Sequence, residues 1–404
     1  MSKPWLASAM GVRLKVLSAA VLLSMAPATF NAAWAAKDLL QLPAVVAPKA
    51  ARALTLNIDS RGNRVVVVGE RGIVLFRDQG AQALEGAVKD SQGGFWKQAA
   101  VPVSVNLTSV KFATDKLVFA TGHDGVVLKS LDAGATWKVV FDGNKSNEQV
   151  LAAAKAKLDA LTQAVEAKRA APASKGQSLE EMEVALETLQ FAFEDAEAGA
   201  RFGPARPMLD VWFKDDKTGW VVGSYGQIFE TVDGGNNWKL IADRLDNPDS
   251  RHYNGLWGDG KGMLLIAGEA GRVYQSNDFG ATWKRHDTGY NGHFYGALAT
   301  QNAAGETSLL AYGFRGNAYR FGAGADKWLK LASPTTESLV GAVADAQRIV
   351  LVDQAGRLVV AENAATTLRL LTTKEGTPTT GLAKVGAELI MSAQGGPRTS
   401  PIPQ

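Results

Sequence analysis

Three copies of one short pattern, S/T-x-D-x-G-x-x-W, constrain this chain more than any other feature: Ser130 to Trp137, Thr231 to Trp238 and Ser276 to Trp283. Each follows an apolar, strand-forming run. The pattern therefore reads as a hairpin turn in which the Asp carboxylate accepts from backbone N–H groups and the Gly takes a positive φ. The Trp is expected to pack the outer strand. On this reading Asp132, Gly134, Trp137, Asp233, Gly235, Trp238, Asp278, Gly280 and Trp283 are structural. A carboxylate already engaged by turn donors makes a poor metal ligand or catalytic acid. The four histidines, His123, His252, His286 and His293, show no i,i+4 pair and no H-x-x-H spacing. No metal and no cofactor is expected.

A second signature lies upstream of these turns. β-branched runs end in Gly-x-x-Gly at Gly69–Gly72, Gly122–Gly125, Gly223–Gly226, Gly268–Gly271 and Gly313–Gly316, and the shape decays to Asp353–Gly356 and Ser392–Gly395. Seven copies result, with successive second glycines 53, 101, 45, 45, 40 and 39 residues apart. A period of roughly 40–45 residues with about four short strands per unit is propeller spacing. The expected fold is all-β, a seven-bladed β-propeller. The interval of 101 residues is too long for one blade and marks an insertion.

Residues 144–200 supply it. Leu151, Ala154, Leu158, Leu161 and Val165 step by three and four, as do Leu179, Met182, Leu186, Leu189 and Phe193 after a break near Pro172. Two amphipathic helices joined by a short loop read as an antiparallel coiled-coil hairpin, basic on the first helix and acidic on the second. Propeller blades 1–2 are expected over 36–143 and blades 3–7 over 201–404.

The first 35 residues have the layout of a secretory signal peptide: Arg13 and Lys15, the apolar run from Val16 to Met25, and Ala33-Trp34-Ala35 as a cleavage site. The run is short for a membrane span. A periplasmic or secreted protein with no direct membrane span after cleavage is expected. The leader holds Lys3, Arg13 and Lys15 and no acid, so its removal brings 43 basic residues into balance with 40 acidic ones. A nucleic-acid partner has no compositional support. With no cysteine there is neither disulfide, thiolate chemistry nor a lipoprotein anchor to propose.

Connectivity assigns these features to faces. In a four-stranded blade the turn between strands 2 and 3 shares a face with the connection from strand 4 to the next blade. The Gly-x-x-Gly turns and the helical hairpin therefore share one face, and the Asp-containing turns lie on the other. The candidate partner-binding face collects Arg71, His123, Tyr225 and Arg315 from the turns, beside Glu269, with Arg206, Arg251, His252, Tyr253, His293 and Phe294 from the interblade connections. Arginine and aromatic side chains together suit a protein-binding surface.

The paired signatures resemble the seven-bladed propellers of the photosystem II assembly and stability factor family, and in particular its exported non-photosynthetic bacterial branch of BNR-repeat (Asp-box) proteins. Stretches carrying the resemblance include Gly69-Glu70-Arg71-Gly72, Val101 to Val105, Leu209 to Phe213, Asp243 to Pro248 and Tyr312 to Ala318. The later repeats depart from the Asp-box; Phe321 to Trp328 keeps only the tryptophan. The resemblance implies a non-catalytic accessory or assembly factor with a protein partner in the cell envelope, such as a membrane transporter of the resistance-nodulation-division type. The alternative is a sialidase-like glycoside hydrolase or glycan-binding propeller, since sialidases carry the same turns. That chemistry needs an arginine cluster, a tyrosine nucleophile with a partnering glutamate, and an acid/base aspartate. The F/Y-R-I-P motif is absent, Phe202 to Pro207 sharing only its composition, and Arg71, Arg251 and Arg315 are the arginines available to converge on an anion.

Overall fold

Each Gly-x-x-Gly run is explained by one contact. In the computed structural model, which describes residues 38–172, 176–301, 305–344, 348–362, 365–372 and 376–402, the residue preceding a blade's inner strand turns its carbonyl toward that blade's turn. The carbonyls of Leu54, Asn106, Pro207, His252, His293, Ser338 and Pro378 accept from the N–H of Glu70, His123, Ser224, Glu269, Phe314, Gln354 and Gln394 at 2.7–3.3 Å. A Cβ on Gly69 would stand 2.2 Å from the Leu54 carbonyl oxygen, and one on Gly313 2.3 Å from that of His293. The first glycine is therefore required by close approach. The third and fourth turn positions are both left-handed, with φ of 51° at Arg71 and 73° at Gly72, and Ile73 N–H donates to the Glu70 carbonyl at 3.0 Å. This is a type I′ hairpin, which matches strand twist.

Blades 1–5 share this type I′ turn, blades 6 and 7 turn differently, and the seven antiparallel sheets make the chain a seven-bladed propeller. The inner strands are Thr55–Arg61, Leu107–Phe112, Met208–Phe213, Tyr253–Gly258, Phe294–Gln301, Leu339–Ala344 and Thr379–Val385. Each carries a bulge after its first residue. Blades 2–6 have four strands, blade 1 adds the short Val88–Lys89, and blade 7 shows three among the described residues. The core is divided into seven apolar clusters, each shared by two adjacent blades. Val66 and Val68 pack toward blade 2, while Val65 and Val67 pack toward blade 7. Burial on both sheet faces is why second strands read as continuous apolar runs instead of alternating.

Among the described residues the ring closes by side-chain contacts, with no strand exchanged between blades 1 and 7. Thr55 Oγ1 donates to the Ala393 carbonyl at 3.0 Å and accepts from Ala393 N–H at 2.8 Å, and Thr380 Oγ1 donates to the Thr55 carbonyl at 2.8 Å. On the outer edge of blade 7, the Gln92 amide donates to the Thr399 carbonyl at 3.2 Å and accepts from its N–H at 2.6 Å. Gln92 is held in turn by Asp90, which is buried and also accepts from the Trp96 indole at 2.9 Å.

Two helices interrupt the blades: α1, Gly143–Ala170, and α2, Leu179–Phe202. Asp142 caps the first, accepting from Asn144 and Lys145 N–H, and Ser178 with Glu181 forms a capping box on the second. The seam residues Leu151, Leu158, Leu161 and Val165 on α1 and Met182, Leu186, Leu189 and Phe193 on α2 are half-buried or buried, and Arg169 pairs across the seam with Glu183 at 2.7 Å. The base of the hairpin is clamped to blade 3. Gln149 donates to the Trp238 carbonyl at 2.8 Å and accepts from Leu240 N–H at 2.9 Å, Ser146 donates to Gln227, and Asn147 spans the carbonyls of Gly199 and Gly203. The signal-peptide segment, 1–35, lies outside the described residues.

Candidate functional site

On the face that carries the Gly-x-x-Gly turns, the shared carbonyl contact brings the residue before each inner strand against the second turn position of the same blade. In blade 4 this sets His252 against Glu269. Glu269 accepts from His252 N–H at 2.8 Å, lies 3.1 Å from His252 Nδ1 through the same oxygen, and reaches His293 Nδ1 of blade 5 at 3.7 Å through the other. Burial pushes the Glu269 carboxyl up, but the His252 N–H and the two imidazoles outweigh it and hold it below the usual range. On one side the Tyr225 ring packs tilted against His252 at 4.9 Å, and the Arg206 guanidinium lies over the Tyr225 ring at 4.9 Å. Arg206 also bonds Asp195 of α2 at 2.8 Å. On the other side His293 meets Phe314 edge-on at 6.2 Å, and Arg315 covers Phe314 at 5.2 Å.

The result is one continuous arc across blades 3, 4 and 5, from α2 to Arg315. Tyr225 and Phe314 are exposed, and Tyr225 and Arg315 are both held left-handed at φ 55° and 53°. Their backbones are fixed by the type I′ turn, so their side chains are presented on rigid ground. The arc joins five of the sequence-derived candidates: Arg206, Tyr225, His252, His293 and Arg315. Three others stand apart. Arg71 and His123 belong to the turns of blades 1 and 2, and Arg251 bonds Asp249 at 3.1 Å while Asn247 holds its backbone.

Tyr253 and Phe294 must be corrected. Both are the first residue of an inner strand, just before the bulge, and both are buried, at 1% and 0% exposure. Thr55, Leu107, Met208, Leu339 and Thr379 occupy the same position in the other blades and are equally buried. The chain enters the core one residue earlier than the face assignment assumes. Glu269, read beside the candidate face, joins the arc, its signal being the acidic residue two places before the second glycine shared with Glu70; Asp195 and Phe314 join it although the candidate set omits them. In blade 1 Glu70 likewise accepts from Leu54 N–H at 2.9 Å.

The opposite face holds the three Asp-containing turns. Asp132 accepts from Thr136 N–H and hydroxyl at 2.9 and 2.6 Å, Asp233 from the N–H groups of Asn236 and Asn237 at 2.9 Å each, and Asp278 from Thr282 N–H and hydroxyl at 2.9 and 2.6 Å. Hydrogen bonds from Thr282 draw Asp278 down to about 2. Gly134, Gly235 and Gly280 have φ of 78–89°, and a Cβ on each would meet Val66, Phe119 or Trp220 of the preceding blade within 3.0 Å. Trp137 and Trp283 donate to the carbonyls of Gly134 and Gly280, and Trp238 is buried. These residues are occupied by the turn. Among the described residues no group of three or more His, Asp or Glu is placed to hold a metal.

Around the axis lies a cavity of about 1340 Å³ lined by inner-strand residues including Asn57, Asp59, Lys111 and Asp210. The carboxylates tie blades together: Asp59 accepts from Phe112 N–H at 2.8 Å, and Asp210 from Leu256 N–H at 2.8 Å and the Ser109 hydroxyl at 2.6 Å. Burial works against a charged Lys111, but Asp59 and Asp210 prevail and hold its pKa above the usual lysine value.

Residues 201–361, which carry this arc, match the family described as photosynthesis system II assembly factor YCF48. The photosystem II assembly lipoprotein Ycf48 of Synechococcus sp. (strain CC9902) is 33% identical over 143 residues, 35% of this chain and 40% of that protein. The sequence similarity to Ycf48 is carried by the part of the chain that begins at blade 3. The chain spans less than half the length of that curated relative. Solved structures agree on the fold. One of YCF48 bound to D1 peptide superposes with a TM-score of 0.53 at 13% identity, covering 90% of this chain and 100% of that one. YCF48 from Cyanidioschyzon merolae gives 0.52 at 15% identity over 87% and 96%. Among the described residues no helix is long and apolar enough to cross a membrane.

Proposed function

We propose that this chain is a non-catalytic, protein-binding assembly or accessory factor of the cell envelope, and that it holds an extended segment of its partner on the arc from Arg206 to Arg315. The observation that carries this is the arc itself: cationic and aromatic side chains across three blades, joined through the Glu269 carboxylate, with Tyr225 and Arg315 on turns whose backbone is fixed. Preformed anchors of this kind bind with little ordering cost. A YCF48 structure with a peptide bound supports the same use of the propeller here. On this reading the partner is an envelope protein, specifically a transporter of the resistance-nodulation-division type, and the chain works in the periplasm or outside the cell, as the family resemblance and the leader-like first 35 residues imply.

The test is site-specific photo-crosslinking in cells. A photoreactive residue at Tyr225 should give one discrete adduct that Arg315→Glu weakens at least tenfold. A probe at Val232, exposed on the opposite face, should give none. Adducts at 232 that survive Arg315→Glu while 225 stays silent overturn the assignment.

A further inference from the structure

Helix α2 is apolar on two opposite sides. Met182, Leu186, Leu189 and Phe193 face α1, while Val184, Phe191 and Phe202 point away from it and are 62%, 63% and 87% exposed. At about 100° per residue the three outer side chains fall within roughly 20° of one line, half a turn from the seam, and they span about 27 Å. A helix with one neighbour needs one apolar stripe; two opposed stripes are the pattern of a helix that lies between two others. Beside the outer stripe run Glu180, Glu187 and Glu194, seven residues apart. The helix carries seven carboxylates and a single cation, Arg201. Arg169, Arg206 and Arg201 match Glu183, Asp195 and Glu197, and among the described residues no ion pair matches the Glu180–Glu187–Glu194 row.

We propose that the outer face of α2 receives an amphipathic helix of a partner protein, its apolar residues on Val184, Phe191 and Phe202 and its lysines or arginines against Glu180, Glu187 and Glu194. Charge decides the occupant. A second copy of this chain packed on the same face would set one carboxylate row against another, which costs affinity. A basic amphipathic helix gains from the apolar stripe and the carboxylate row together. Ser146 and Gln149 clamp the hairpin base to blade 3 and Asn147 ties α1 to the end of α2, so the docking face is presented preformed. This surface adjoins the end of the arc at Asp195, and a single partner touching both would gain from linked binding.

Two labelled synthetic helices of about 20 residues test it by fluorescence anisotropy at physiological salt, one with leucines on one side and flanking lysines, the other with glutamates in place of the lysines. The full chain should bind the lysine helix and not the glutamate helix. Val184→Ser with Phe191→Ser should weaken binding tenfold or more, the effect of leaving an apolar anchor unburied. Glu187→Lys with Glu194→Lys should reverse the preference between probes. All four positions are solvent-facing, and circular dichroism checks that the helices persist. Tyr225→Ala should leave probe binding unchanged, so failure of the arc and failure of this surface are read separately. Three results overturn the proposal: no binding of the lysine helix, binding that ignores the Val184/Phe191 pair, or a concentration-dependent dimer that Phe191→Ser dissolves.

Discussion

Gly313→Ala isolates the contact that generates the repeat. Gly313 has an extended φ of 174°, so alanine meets no conformational penalty there. Its Cβ would stand 2.3 Å from the His293 carbonyl oxygen and 2.7 Å from Phe294 Cα, both backbone atoms with no rotamer to change. The inner strand has to move, and the Phe314 N–H to His293 carbonyl bond of 2.9 Å lengthens with it. Asp353 and Ala393, the latter one residue beyond the Ser392–Gly395 register read from the sequence, hold the equivalent position in blades 6 and 7 with that bond intact, so the turn can open without unravelling. Overpacking of this kind costs about 1–3 kcal/mol, offset by about 0.4–1 kcal/mol from the stiffer unfolded chain. A net loss of about 1–2 kcal/mol is expected in equilibrium urea unfolding followed by tryptophan fluorescence. Gly322→Ala in the same blade is the control, since its nearest neighbour is 4.0 Å away; it should be neutral or slightly stabilising. Equal midpoints for the two variants would refute the steric origin of the first glycine.

Asp278→Asn should cost about 1 kcal/mol at neutral pH through weakened turn bonds at an exposed site. Because the folded carboxyl is depressed to about 2 from an ordinary 3.8, its contribution is present above pH 4 and lost as pH falls toward 2, so the urea midpoints of variant and wild type should converge over that window. Replacing 150–198 by a short Gly/Ser linker, with Ser146, Asn147 and Gln149 kept, should leave the propeller's unfolding midpoint within about 1 kcal/mol, the ceiling for the exposed Arg206–Asp195 pair it removes. Gln149→Ala should cost about 1–2 kcal/mol in the same assay, since the Trp238 carbonyl and Leu240 N–H lose their partner.

The blade count is legible in the sequence because the carbonyl contact admits no side chain at the first glycine of five turns, and left-handed geometry favours glycine at the second. Where the contact relaxes, at Asp353 and Ala393, the pattern fades though the blade remains. The two helices are legible from their three-four stepping. The arc is only half legible. His252 and Glu269 are seventeen residues apart, and their meeting depends on a hydrogen bond that exists only once the blade has formed. Tyr253 and Phe294 mislead because tyrosine and phenylalanine suit a surface and a core alike; alignment with Leu107, Met208 and Leu339 would place them inside. The clamp by Gln149 has no local signature, since a glutamine on a helix reads as solvated.

The outermost strand of blade 7, Arg398–Pro401, leaves a sheet edge that in principle invites a second molecule to add a strand. Backbone groups on that edge alternate, so Thr399 and the residues two away, Pro397 and Pro401, face outward. Two of these have no N–H to offer, and the Gln92 amide already occupies both groups of the third. Edge-to-edge polymerisation is thereby blocked at the sheet that, among the described residues, the ring leaves one strand short.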